Sequence, residues 1–112
     1  MSMDLVLKGR GVKITDQIRR ITEHKIGKLS RIDPRVTRVE VEVTKEANPR
    51  IDGGHRVEVA CTTPRRVFRA EAAGEDVASA LDQVIRRLER QITSYRGKLR
   101  DRRQGHGLES LS

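Results

Sequence analysis

Three segments of this chain alternate strictly between apolar and charged or small polar residues. They read TRVEVEVTKE (residues 37–46), HRVEVACT (55–62) and VFRAEA (67–72). Side chains on a strand point to opposite faces in turn. Val39, Val41 and Val43 therefore share one side, and Arg38, Glu40 and Glu42 the other. By the same rule Val57, Val59 and Cys61 point inward against Arg56 and Glu58, and Phe68, Ala70 and Ala72 inward against Arg69 and Glu71. Each segment is expected to be a strand with one buried and one wet face, as in an antiparallel meander. ANPRIDGG, with Pro49 and the Gly53-Gly54 pair, is expected as a loop, and TPRR as a tight connection.

One face of that sheet needs covering, and two amphipathic segments can cover it. The run ITDQIRRITEHKIGKLSRI places Ile14, Ile18, Ile21, Leu29 and Ile32 on one side at helical spacing. Thr15 suits the N-cap, Asp16 the first turn, and Asp33-Pro34 the stop. Gly27 weakens the interior by roughly 1 kcal/mol relative to Ala. A short apolar run, Leu5-Val6-Leu7, followed by Gly9 and Gly11, predicts a strand before this helix. After Gly74, Glu75-Asp76 place negative charge at the start of a last helix. Its stripe is Val77, Leu81, Val84, Leu88, Ile92, Tyr95 and Leu99. Past Arg103 the pattern ends, so residues 1–103 are expected as one domain and 104–112 as a disordered tail or the start of a linker. The order is β-α-β-β-β-α. The expected fold is α+β, a four-stranded sheet with two helices on one face, like a double-stranded-RNA-binding domain. The first two strands are parallel if adjacent.

The chain has 112 residues, no Trp, one Phe and one Tyr, so the core is largely aliphatic. The single cysteine, Cys61, excludes an internal disulfide and is expected to be a buried, reduced thiol. No apolar run approaches the length of a membrane span, and a soluble, cytoplasmic protein is expected. His24, His55 and His106 show no metal-ligand spacing with one another or with Cys61, and no Gly-rich phosphate loop occurs. The expectation is a non-enzyme with no metal, cofactor or small-molecule substrate.

The net charge of +8 is segregated. Lys8–Arg38 carries ten basic and three acidic residues, Val39–Asp82 six and nine, and Gln83–Arg103 eight and two. Cationic flanks around an acidic middle favour an anionic partner. At about 100° per residue, Arg86, Arg87, Arg90 and Lys98 lie opposite the apolar stripe of the last helix. Arg20, His24, Lys28 and Arg31 form a second ridge on the first. Lys25 falls inside the apolar arc, where its stem can pack and its ammonium reach water. Two helices on one sheet face turn both ridges to the same side. The open sheet face has mixed signs and lacks the aromatics on which single-stranded RNA readers stack bases. Binding is expected through the helices and phosphates, with little base specificity. A membrane surface fits less well, because the core consumes the apolar stripes.

The stretches RAEAAGEDVASALD, RLERQI and KLSRI, with the element order, resemble the ribosome hibernation-promoting factors. That group is also called the ribosome-associated inhibitor A or sigma-54 modulation family. The likeness covers about residues 3–103. It implies binding to ribosomal RNA of the small subunit, in the decoding channel used by messenger and transfer RNA. It further implies inhibited translation in stationary phase or stress. Carried over by position, Lys28, Arg87, Arg90 and Lys98 match basic positions of the family. Ser94 departs from the Lys of many relatives, and Arg86 or Arg96 are candidates to compensate. With Arg20, Lys25 and Arg31 these make the expected RNA-binding set. Long members add a linker and a C-terminal domain that pairs ribosomes. These 112 residues fit either a short form or the N-terminal part of a long one. A general double-stranded RNA binder and a protein-interaction regulator are the alternative readings.

Overall fold

The computed structural model describes the backbone of residues 3–45 and 54–111, and side chains through residue 98. Six elements follow the expected order: β1 (Asp4–Arg10), α1 (Asp16–Ile32), β2 (Arg38–Lys45), β3 (His55–Thr62), β4 (Val67–Gly74) and α2 (Val77–Leu111). They build one sheet in the order β1-β2-β3-β4. β1 runs parallel to β2, and the other two pairs are antiparallel. Most of the loop expected at 47–54 lies outside the described residues, as does the side chain of Leu99.

Register shows why the alternation matters. Leu5, Val39, Cys61 and Phe68 stand abreast across the four strands. Leu7, Val41, Val59 and Ala70 form the next row, then Gly9, Val43, Val57 and Ala72. These rows make the sheet's half of the core. The helices supply the other half: Ile26 and Leu29 from α1, and Val77, Ala80, Leu81, Val84, Ile85, Leu88 and Ile92 from α2, all buried. Burying the sheet thiol pushes the Cys61 pKa up to about 11, so it stays protonated and inert at neutral pH.

Local chemistry sets the helix ends. Thr15 caps α1, its Oγ1 accepting from the Ile18 N–H at 3.1 Å. Asp76 precedes α2 and accepts from the Ser79 N–H at 2.8 Å, and that bond lowers the Asp76 pKa. Between β4 and α2 the chain turns so tightly that a Cβ on Gly74 would lie 2.9 Å from the Ala80 nitrogen, so only glycine fits. The helical backbone of α2 runs on to Leu111, eight residues past Arg103, where the apolar periodicity ends.

α1 closes on Asp33, whose N–H reaches the Leu29 carbonyl at 2.9 Å. Its carboxylate is 2% exposed and accepts three bonds from Arg35, from the backbone N, Nε and Nη2, at 3.0–3.2 Å. Burial pushes the Asp33 pKa up, but the Arg35 bonds and the positive charges of Arg35 and Arg96 outweigh it, and the net shift is downward. The stabilisation is therefore complete above the ordinary carboxylate range. It is lost as pH falls through the depressed folded pKa. Asp33→Asn should cost about 1.5–3 kcal/mol at pH 7. Urea unfolding of both proteins should show that gap closing in strong acid, and a gap independent of pH would contradict the assignment.

Candidate nucleic-acid interface

The buried residues of each helix face the sheet, so the opposite side faces solvent. On α1 the buried set is Thr22, Ile26 and Leu29. Arg20, His24, Lys28 and Arg31 lie across the helix from it, and all four are exposed. On α2 the buried row Leu81, Val84, Leu88 and Ile92 leaves Arg86 and Arg90 at the crest, also exposed. Arg86 and Arg90 line a shallow surface groove with Glu89, Thr93 and Ser94. Lys98, one turn beyond that groove, is exposed as well. Arg20, Lys28, Arg31, Arg86, Arg90 and Lys98 make no ion pair with any acid among the described residues.

Three of the expected contact residues also have structural partners within the chain. Lys25 does not simply reach water. Its ammonium donates to Asp82 Oδ1 at 2.6 Å, tying α1 to α2, and only 19% of its side chain is exposed. Asp82, which looks like a plain surface acid in sequence, is its partner. Arg96 donates to the Ile32 carbonyl at 3.1 Å, satisfying an end-of-helix acceptor on α1. Arg87 turns to the far flank of α2 and donates to the Glu71 carbonyl of β4.

Arg87 is one rung of a repeating arrangement. Gln83 donates to the Ala73 carbonyl at 3.1 Å and Gln91 to the Arg69 carbonyl at 2.8 Å. Four residues of helix rise about 6 Å and two residues of strand about 6.7 Å. The rungs at 83, 87 and 91 therefore keep step with the carbonyls at 73, 71 and 69. α2 is held on one flank by α1 and on the other by the edge of β4, and its crest is fixed between them.

The open sheet face holds a concavity of about 400 Å³ lined by Lys8, Glu40, Glu42, Glu58, Arg69 and Glu71, among others. Its charges pair locally, Arg38 with Glu40 at 2.9 Å and Arg10 with Glu42 at 3.7 Å. No aromatic ring lines it. The molecule thus has one face of mixed sign, and on its helices six exposed cations that pair with no acid among the described residues. Among the described residues no group of His, Cys, Asp or Glu could hold a metal ion. No helix among them is long and apolar enough to cross a membrane.

Sequence reasoning passes over Arg66. Its guanidinium carbon lies 5.3 Å from the Phe68 ring centroid and 5.2 Å from that of Tyr95. The available signal is that Arg66 sits two residues before Phe68, on the same side of the strand line.

Comparison with known proteins identifies the family and the fold. A family model described as sigma 54 modulation protein / S30EA ribosomal protein matches residues 5–100. A ribosome hibernation promotion factor of Deinococcus radiodurans is 31% identical over 98 residues, covering 88% of this chain and 51% of its own length. The ribosome hibernation promoting factor of Escherichia coli K12 is 29% identical over 105 residues, covering 88% of this chain and 98% of its own. The crystal structure of the N-terminal domain of Protein Y from Thermus thermophilus superposes with a TM-score of 0.70 at 27% identity, over 85% of this chain and 99% of that one. The chain spans about half the length of curated relatives such as the Deinococcus protein.

Proposed function

Since this chain belongs to the sigma 54 modulation protein / S30EA ribosomal protein family, we propose that it is a non-catalytic ribosome hibernation factor. It binds the small ribosomal subunit at the decoding channel and inhibits translation in stationary phase or stress. The observation that supports this is two sets of exposed cations, Arg20, Lys28 and Arg31 on α1 and Arg86, Arg90 and Lys98 on α2, none of which pairs with an acid among the described residues. Their natural ligand is the phosphate backbone of folded RNA, whose repeating charge rewards a broad positive surface without base readout. Lys25, Arg87 and Arg96 contribute chiefly by holding the ridges in place. In a longer protein, residues past Arg103 lead toward a linker, and ribosome pairing belongs to a C-terminal domain beyond that linker.

Equilibrium binding to purified small subunits, repeated over a salt series, tests the reading. Six phosphate contacts predict a log–log slope of about −4 to −5. Messenger or transfer RNA analogues filling the decoding channel should compete, and a free RNA duplex should not at equal concentration. Competition by the duplex alone would favour a general double-stranded RNA binder. A slope near zero would favour a protein-interaction regulator.

A further inference from the structure

We propose that Arg66, set beside the Phe68 and Tyr95 rings, is a preset phosphate-binding arginine that carries the RNA contact surface past the end of α1 onto the β3–β4 turn. The inference rests on the RNA-binding reading and extends it to a residue outside both helices.

Both ends of Arg66 are fixed. Its backbone closes the turn: the Thr63 N–H and Oγ1 donate to the Arg66 carbonyl at 2.9 and 2.7 Å, and the Arg66 N–H returns to Thr63 Oγ1 at 3.2 Å. Its guanidinium is near both rings, themselves packed edge-to-face at 5.6 Å and 71°. With the two rings inclined at 71°, at most one lies parallel to the guanidinium plane, and the N–H edges turned away from both stay open to solvent. Those edges form the planar fork that a phosphate accepts two at a time. Arg66 is exposed and pairs with no carboxylate among the described residues.

The neighbourhood is positive as well. Arg35 and Arg96 both act on the charge of Asp33, and Tyr95 acts on that of Arg35, so these side chains gather at the same end of the sheet. The one buried acid there, Asp33, is engaged by Arg35. Rigid display matters because a free arginine loses rotamer freedom on binding, whereas one already set against two rings loses less. The occupant that suits a preset, acid-free fork beside a phosphate-binding surface is another phosphate of the same RNA.

The test is binding of the whole chain to purified small subunits at several salt concentrations, with circular dichroism and thermal unfolding of each variant. Arg66→Gln should weaken binding about 5-fold and reduce the salt slope by about 0.7 to 0.9, one phosphate contact. Tyr95→Leu keeps every charge but removes a ring, so affinity should fall about 3-fold with the slope unchanged, and Tyr95→Phe should bind as the parent does. Arg65→Gln removes the adjacent charge, which no ring holds, and should change the slope by less than half as much. Equal losses at positions 65 and 66 would reduce the effect to net charge and overturn the clamp. So would an Arg66→Gln protein that binds with unaltered affinity and slope. In either case the parent still binds, and the proposed function stands. A parent that fails to bind subunits at all overturns both.

Discussion

The double variant Arg86→Glu, Arg90→Glu should lose small-subunit binding by more than about 100-fold at physiological salt while keeping its fold. Near 0.15 M salt each counterion-releasing phosphate contact is worth about 4- to 5-fold in affinity. Neutralising two such residues therefore predicts a loss of about 20-fold, and reversing their sign adds repulsion of similar size. The fold should tolerate the change because both side chains are exposed at the crest and make no side-chain bond among the described residues. Two glutamates four apart on a helix cost only a few tenths of a kcal/mol. Sedimentation with small subunits measures the loss, and circular dichroism checks the fold. Undiminished co-sedimentation would sink the helix-crest mechanism.

Leu88→Ala should have the largest effect on stability. Leu88 is 0% exposed and lies midway along the buried row that seats α2 on the sheet. The inward residues of β4 beneath that helix include Ala70 and Ala72, too small to fill a vacated space. The cost should be about 3 kcal/mol, or a fall of about 12–24 °C in melting temperature for a domain of this size. A shift under about 4 °C would mean that the helix is seated elsewhere. Because the cationic crest is the reverse side of the same helix, binding at temperatures where the variant remains folded should be nearly unchanged.

Much of this was readable without coordinates, for a physical reason. Alternation in TRVEVEVTKE and HRVEVACT states which side of each strand is buried, and the register bears that out residue by residue. Thr15, Asp76 and the Asp33-Pro34 stop act through neighbours a few positions away, so local reading finds them. Ile26 is fully buried although the sequence stripe passes over it; burial follows where α1 meets both sheet and α2, and a wheel knows only one axis. Partnerships across long sequence separations were invisible: Lys25 with Asp82, Arg96 with Ile32, Arg66 with Tyr95. Charge, helical spacing and family likeness put Lys25, Arg87 and Arg96 among the expected RNA contacts, and only three-dimensional placement shows what else each side chain holds. Helical backbone beyond Arg103 had no signal either, since Gly105 and Gly107 each disfavour helix by about 1 kcal/mol.

The rungs from Gln83, Arg87 and Gln91 to β4 bear on self-association too. A sheet that grows by edge-to-edge addition into a fibre needs two receptive borders on every unit, one to join and one to be joined. Here three carbonyls of the β4 border, those of Arg69, Glu71 and Ala73, are taken by the molecule's own side chains. Growth through β1 could therefore stop at a pair but could not propagate, and the folded chain is spared that route to insolubility.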